Sequence, residues 1–183
     1  MAVTAQHLYE QTLVVRSQLG DAAAFRELLG LHSPRLLSFV RKLMSDSGDG
    51  AEDLTQEIWV AIYHGLPSLL DVRKFRSWAF RIARDRVYRE FRRRQLPVEP
   101  LHELAEEELP DTAHPTSGID LEELQHCLAS LSLGHREVLM LRFFEGMDYE
   151  EIARVTRSTL GTVRSRLHYA KRALKCLIEQ TTL

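Results

Sequence analysis

The sequence predicts an all-α protein: two small helical domains joined by an acidic, proline-containing linker. Three observations carry that prediction. No window alternates apolar and polar residues with the period of two that a half-buried strand needs. Apolar side chains instead recur three and four apart in a series of blocks, and most of the six prolines and nine glycines fall between those blocks. Between Leu96 and Gly118 the composition changes abruptly, with Pro97, Pro100, Pro110 and Pro115 flanking the acidic run Glu106–Glu108. A stretch of that kind has too little apolar surface to order itself and reads as a tether. The predicted domains are therefore 1–96 and 119–183, with a linker over 97–118.

Taken in order, a first helix is expected over about 4–19, ending at Gly20, a good C′ residue. Asp21 suits the N-cap of the next helix, where Phe25, Leu28, Leu29, Leu36, Leu37, Val40 and Leu43 make an apolar stripe. Pro34 interrupts this pattern, and a kink or break is expected there. Ser45–Gly50 reads as a loop, followed by a third helix over about 51–64 that stops near Gly65 and Pro67. A fourth is expected over about 73–95. After the linker come four more, over about 119–131, 134–145, 148–155 and 159–178.

The chain has 183 residues, and its formal charge of −2 hides strong segregation. Residues 71–96 carry ten basic and three acidic side chains, whereas 97–125 carry nine acidic and no basic ones. Residues 154–175 again hold seven basic groups and no acidic one. Two cationic blocks around an acidic stretch suit a polyanion touched at two places, or else two solvated helix faces. No apolar run reaches the ~18 residues of a membrane span, and the N-terminus shows no secretory signal. With two cysteines there is no disulfide scaffold, so a cytoplasmic protein without membrane insertion is expected. The eight histidines are scattered, with no HExxH, P-loop or GxSxG arrangement, and neither His126-Cys127 nor His168 with Cys176 has zinc-ligand spacing. No enzyme activity, cofactor or metal is expected.

The richest pattern is at the C-terminal end. Asp148, Glu150 and Glu151 begin a short helix, Thr156-Arg157-Ser158 forms a turn, and Thr159 caps a longer helix. In that helix Leu160, Val163, Leu167, Ala170 and Leu174 make the inward stripe. Short helix, tight turn and basic amphipathic helix follow the helix-turn-helix plan, whose second helix enters the major groove; a packed hairpin with a basic outer face gives the same pattern. On the outer face, Thr162, Arg164, Ser165 and His168 stand where base edges would be reached, with Tyr169 alongside. Arg166, Lys171, Arg172 and Lys175 would meet phosphates.

Along the fourth helix Arg73, Lys74, Arg76, Arg81 and Arg84 alternate with Phe75, Trp78 and Phe80. Arginine interleaved with rings suits single-stranded nucleic acid, although Trp78, Ala79 and Ile82 share the spacing of a core stripe. In the third helix Asp53, Gln56 and Glu57 flank Trp59, an arrangement that fits either a protein-binding surface or a solvated face.

Five motifs in this order, GDAAAFRELL, AEDLTQEIW, FRSWAFRIARDRVYREFRRR, LASLSLGHREVLMLRFFEGMDYEEIA and GTVRSRLHYAKRAL, resemble the extracytoplasmic-function sigma factors. These are the short two-domain class of bacterial RNA polymerase specificity subunit, and the resemblance runs from about Leu13 to Lys175. It implies a region 2 helical bundle over 1–96 and a region 4 helix-turn-helix over 119–183. Asp53, Gln56, Glu57 and Trp59 become candidates for binding the β′ clamp helices of core RNA polymerase, with the β subunit a further partner. Residues 66–94 become the segment that melts the −10 element and holds a flipped base, with Arg73, Lys74, Phe75, Arg76, Trp78, Arg81 and Arg84 as DNA contacts. Thr162, Arg164, Ser165, Arg166, His168, Tyr169, Lys171 and Arg172 become −35 contacts. The linker is implied to thread toward the active-site cleft of polymerase, and an anti-sigma factor is an implied partner. Three residues depart from the family's habit. Arg157 stands where glycine is usual in the turn, Tyr169 where a basic residue is common, and Asp85 where asparagine often follows IAR. The rival assignment is a conventional helix-turn-helix regulator, with 1–96 as an effector or dimerisation domain.

Overall fold

The computed structural model describes residues 5–45, 50–94 and 120–181. The linker predicted over 97–118 lies outside the described residues. Among the described residues every regular element is helical, in two compact units divided between Arg89 and Glu90.

The first unit contains α1 (Ala5–Gln18), α2 (Ala22–Met44), α3 (Gly50–Gly65) and all but the last turn of α4 (Phe75–Arg93). Two short 3-10 turns, Leu66–Ser68 and Val72–Lys74, join the last two. α1 ends as expected at Gly20, whose φ of +89° only glycine adopts without strain. The Asp21 carboxylate then caps α2, accepting from the N–H groups of Ala23 (2.9 Å) and Ala24 (3.0 Å). Arg16 reaches back to the same carboxylate at 2.6 Å, so one side chain fixes the corner between two helices.

Pro34 does not break α2. It stands on the exposed side, where the Gly30 carbonyl that loses its amide partner can be solvated, and the helix continues to Met44. The buried face of α2 runs Leu28, His32, Leu36, Phe39, Val40 and Leu43; Phe25, Leu29 and Leu37 are only half-buried. Three rings fill the centre of this unit: Phe39, Phe75 and Phe80 are essentially inaccessible. Phe39 meets Phe80 edge-on at 5.1 Å, and Phe75 meets the buried His32 ring at 5.2 Å. Each such side chain contributes roughly 1.5–3 kcal/mol from burial, with ~1 kcal/mol more from edge-to-face geometry. At the end of α1, the Gln18 amide donates to the carbonyls of Leu66 (3.0 Å) and Leu69 (2.8 Å), tying the first helix to the turn after α3.

The second unit contains α5 (Leu121–Ser130), α6 (Leu133–Leu139), α7 (Tyr149–Thr156) and α8 (Leu160–Thr181). The helix expected over 134–145 changes pitch: Met140–Phe144 forms a π turn, closed by the Glu145 N–H donating to the Met140 carbonyl at 3.0 Å. The widened turn leaves Phe143 and Phe144 60% and 47% exposed, and Gly146 ends it with a φ of +65°. Inside, Arg136 is buried and donates to the carbonyls of Ala129 (2.6 Å) and Leu131 (2.9 Å), and burial lowers its pKa.

Candidate polymerase and nucleic-acid interfaces

α3 is amphipathic in a revealing way. Its inner side buries Leu54, Ile58 and Ile62, and its outer side carries Asp53, Gln56, Glu57, Val60, Tyr63 and His64 in successive turns. Val60 and Tyr63 are 57% and 55% exposed, so apolar surface lies beside the acidic and amide groups. That combination, rather than charge alone, resembles the centre and rim of a protein interface. Neither residue was among the binding candidates drawn from the sequence; their signal was an apolar side chain at the spacing of the polar stripe. Trp59 does not belong to this surface. It is 6% exposed and packs edge-on to Phe25 at 6.0 Å, because its position follows Ile58 onto the inner side.

The loop into α4 presents a second surface. Asp71 caps the Val72–Lys74 turn, accepting from the Arg73 N–H at 3.1 Å. Its carboxylate also holds the Arg73 guanidinium at 2.9 Å and the Lys74 ammonium at 3.2 Å. The Arg73 bond first, helped by the Lys74 bond and the Arg73 N–H, keeps the Asp71 carboxyl well below the usual range although burial opposes it. Leu70 at the loop tip is wholly exposed, an apolar side chain that sequence reasoning passed over. Trp78 is half-buried over Gly65, where a Cβ would lie 3.0 Å from its ring. Glycine is thus what lets the indole lie down on the end of α3.

The remaining α4 residues divide by helical phase rather than by chemistry. Arg76 and Arg81 are half-buried, and Arg89 and Arg92 are exposed. Phe75 is fully buried, which removes it from the −10 contacts: it sits one helical turn before Ala79 and Phe80 on the inward face. Arg84 is 9% exposed, stacked 4.2 Å over the Tyr88 ring and 3.4 Å from Asp85, so its charge is turned inward rather than offered to a strand. At the far end Arg93 and Arg94 hold Glu90, whose pKa they bring down to about 2.

The third surface is α8. Asp148 and Glu151 form a complete capping box on α7, with reciprocal bonds of 2.7 and 3.0 Å. Arg157 then takes a left-handed conformation (φ 53°, ψ 45°), and the Ser158 N–H returns to the Ala153 carbonyl at 3.1 Å, a Schellman-type ending. Thr159 caps α8 by accepting from the Thr162 N–H at 3.1 Å. Arg164 and Arg172 are exposed, and Thr162, Ser165, His168, Tyr169 and Lys171 are half-buried beside them. The rings of His168 and Tyr169 meet edge-on at 5.4 Å. Arg166 is the exception. It is 9% exposed, between Val163 and Ala170 on the packed seam, which withdraws it from the phosphate-contacting set. Its charge suggested the surface; its spacing of three from Val163 put it inside.

Compared with known proteins, residues 28–96 match the family model for sigma-70 region 2, and residues 121–174 match sigma-70 region 4. The chain is 30% identical to the RNA polymerase sigma-H factor of Pseudomonas aeruginosa over 90% of its own length and 91% of that protein's. It is also 30% identical to the ECF RNA polymerase sigma-E factor of Escherichia coli K12, covering 92% and 94%. This chain is an extracytoplasmic-function sigma factor. Among solved structures, the sigma factor RpoE of Bartonella quintana, crystallised with the anti-sigma factor NepR, superposes with a TM-score of 0.64 at 28% identity. That match covers 85% of this sigma factor and 96% of the other chain. The sigma factor works with core RNA polymerase and promoter DNA to direct promoter-specific transcription initiation, and the conventional-regulator assignment falls away. Among the described residues no helix is long and apolar enough to cross a membrane, and no cluster of histidine, cysteine and carboxylate side chains could hold a metal.

Proposed function

We propose that this sigma factor divides initiation among its three surfaces. Asp53, Gln56, Glu57, Val60 and Tyr63 on α3 dock on the β′ clamp helices. Arg73, Lys74, Arg76, Trp78 and Arg81, with the exposed Leu70 tip, hold the non-template strand of the −10 element. Thr162, Arg164, Ser165, His168, Tyr169, Lys171 and Arg172 on α8 read and grip the −35 duplex. The observation that carries this reading is that one short stretch, Leu70–Trp78, holds a fully exposed leucine, the exposed cations Arg73 and Lys74, and the half-buried indole of Trp78. Apolar and aromatic surface next to positive charge is what an unstacked base and its phosphate require.

Flipping a base out of duplex costs a few kcal/mol. Capture of the extruded base and strand offsets that cost, so the protein opens DNA by binding and performs no covalent chemistry. Arg73 and Lys74 exchange their Asp71 carboxylate for phosphates as the strand arrives. The domain boundaries follow as 1–96, 97–118 and 119–183, with the six carboxylates of 97–118 lying in the cationic channel of polymerase. The site of action is the cytoplasm, and an anti-sigma factor like the partner of the Bartonella relative is a natural regulator of this chain.

The test is run-off transcription with core polymerase from the source organism on genomic fragments. Defined start sites that appear only when this chain is added support the reading. Trp78→Ala should leave closed-complex formation intact and abolish permanganate reactivity at the −10 thymines. Permanganate reactivity equal to that of the unsubstituted chain would overturn the assignment of that ring.

A further inference from the structure

Glu57 belongs to the proposed docking face of α3, yet its carboxylate is already engaged. The Arg86 guanidinium of α4 stands 3.6 Å away, Nη1 to Glu57 Oε2, with 31% of the Arg86 side chain and 63% of the Glu57 side chain exposed. At that distance this is an ion pair outside hydrogen-bond range, and between groups so exposed it holds weakly. Its position matters more than its strength. Trp78 lies on Gly65; eight residues further along α4 is Arg86, and eight residues back along α3 is Glu57. The two helices therefore run past each other in opposite directions. Arg86 stands two turns, about 12 Å, along α4 from the indole proposed to receive a base. Arg89, one turn further on, is exposed. The pair thus bridges the surface assigned to polymerase and the surface assigned to the opened strand.

We infer that Arg86 is a further strand-holding residue, kept from the phosphates by Glu57 in the free chain and released to them when Glu57 turns to the clamp helices. This inference rests on the proposed roles of α3 and α4. Polymerase takes the carboxylate and the strand takes the guanidinium, so either ligand has to break the pair. Whichever arrives first spares the other that cost. The coupling is reciprocal, and its ceiling is the worth of the pair itself, at most about fivefold in affinity. A weak, exposed pair suits such an exchange, because a tight buried one would resist both ligands.

The test uses the full-length chain, free and assembled with core polymerase. The probe is a fluorescein-labelled single-stranded oligonucleotide carrying the non-template −10 sequence of a promoter from which that holoenzyme initiates. Kd is measured by anisotropy between about 50 and 200 mM salt. Arg86→Gln should leave the free chain unchanged and, in the holoenzyme, make the log–log salt slope shallower by about 0.7, the share of one single-strand phosphate. Arg86→Lys should keep the holoenzyme slope. Glu57→Gln should tighten binding by the free chain up to about fivefold, with a slope steeper by about 0.7, and the double variant Glu57→Gln, Arg86→Gln should lose that gain. Two controls carry the underlying reading. If Trp78→Ala leaves oligonucleotide binding unchanged, the strand-holding role of α4 fails; if Val60→Glu leaves core-polymerase binding unchanged, the docking role of α3 fails. With both controls as expected, the inference alone is overturned if Arg86→Gln keeps the holoenzyme slope or alters that of the free chain. It is equally overturned if the Glu57→Gln gain is missing or survives in the double variant.

Discussion

Replacing Phe75 by alanine separates a core ring from a strand-binding one. Phe75 has no exposed surface, and its ring packs against His32 at 5.2 Å and Trp78 at 6.1 Å. Deleting a ring so enclosed costs about 3–5 kcal/mol in lost transfer energy and residual cavity. Against a typical domain stability of about 5–15 kcal/mol, that is about a fifth of the total or more. At roughly 4–8 °C per kcal/mol for a domain of this size, the melting temperature of the first unit falls by at least about 12 °C. The assay is selective without any label. The chain has two tryptophans, Trp59 and Trp78, and both lie in the first unit, so indole fluorescence during urea unfolding reports that unit alone. Phe75→Leu, which keeps most of the apolar volume, should cost under about 1.5 kcal/mol and retain promoter opening. A Phe75→Ala protein with an unchanged urea midpoint but no promoter opening would refute the reasoning, because the ring would then be acting on DNA.

Three further outcomes follow from the same geometry. The Asp21 carboxyl is held below its usual pKa first by the Ala24 N–H and then by Arg16, so its contribution is complete above about pH 4, the unfolded value, and disappears as pH falls through the folded one. Asp21→Asn keeps a cap that does not titrate, and between pH 6 and pH 3 its urea midpoint should drop less than that of the unsubstituted chain; equal drops would discount the linkage. Val60→Glu should reduce core-polymerase affinity about tenfold or more, measured by fluorescence anisotropy, while stability stays within about 0.5 kcal/mol. Arg164→Ala should alter preference at one −35 base pair by about 1–3 kcal/mol, whereas Lys175→Ala should weaken all sequences equally, as competition binding on single-substitution duplexes will show.

The α-helices were legible in the sequence, because they announce themselves by apolar spacing and three of them by an N-cap. Asp21, Asp148 with Glu151, and Thr159 all cap as their residue types require. What the sequence did not reveal was phase within a charged helix. Arg84 and Arg166 read as surface cations, yet each falls at a position the helix turns inward. Phe75 and Trp59 read as functional aromatics beside charge, yet the same phase buries them. Conversely Tyr63 and Leu70 were overlooked because an apolar residue is assigned to the core by default, and only the fold shows which ones have nothing to cover them. The continuity of α2 past Pro34 was hidden for a different reason: a proline on the solvated side costs a helix far less than one on the packed side. The π turn at Met140–Phe144 has no residue signature of its own.

The two bonds from the Gln18 amide carry a consequence for how quickly DNA can be caught. They pin the carbonyls of Leu66 and Leu69 on either side of Pro67, and so restrain the segment that leads to Leu70 and Asp71. The ordering entropy of that segment is therefore spent when the chain folds rather than when a transiently extruded base arrives. On the proposed reading, a helix outside the three proposed surfaces thereby helps decide whether a short-lived bubble finds a rigid receiver or snaps shut.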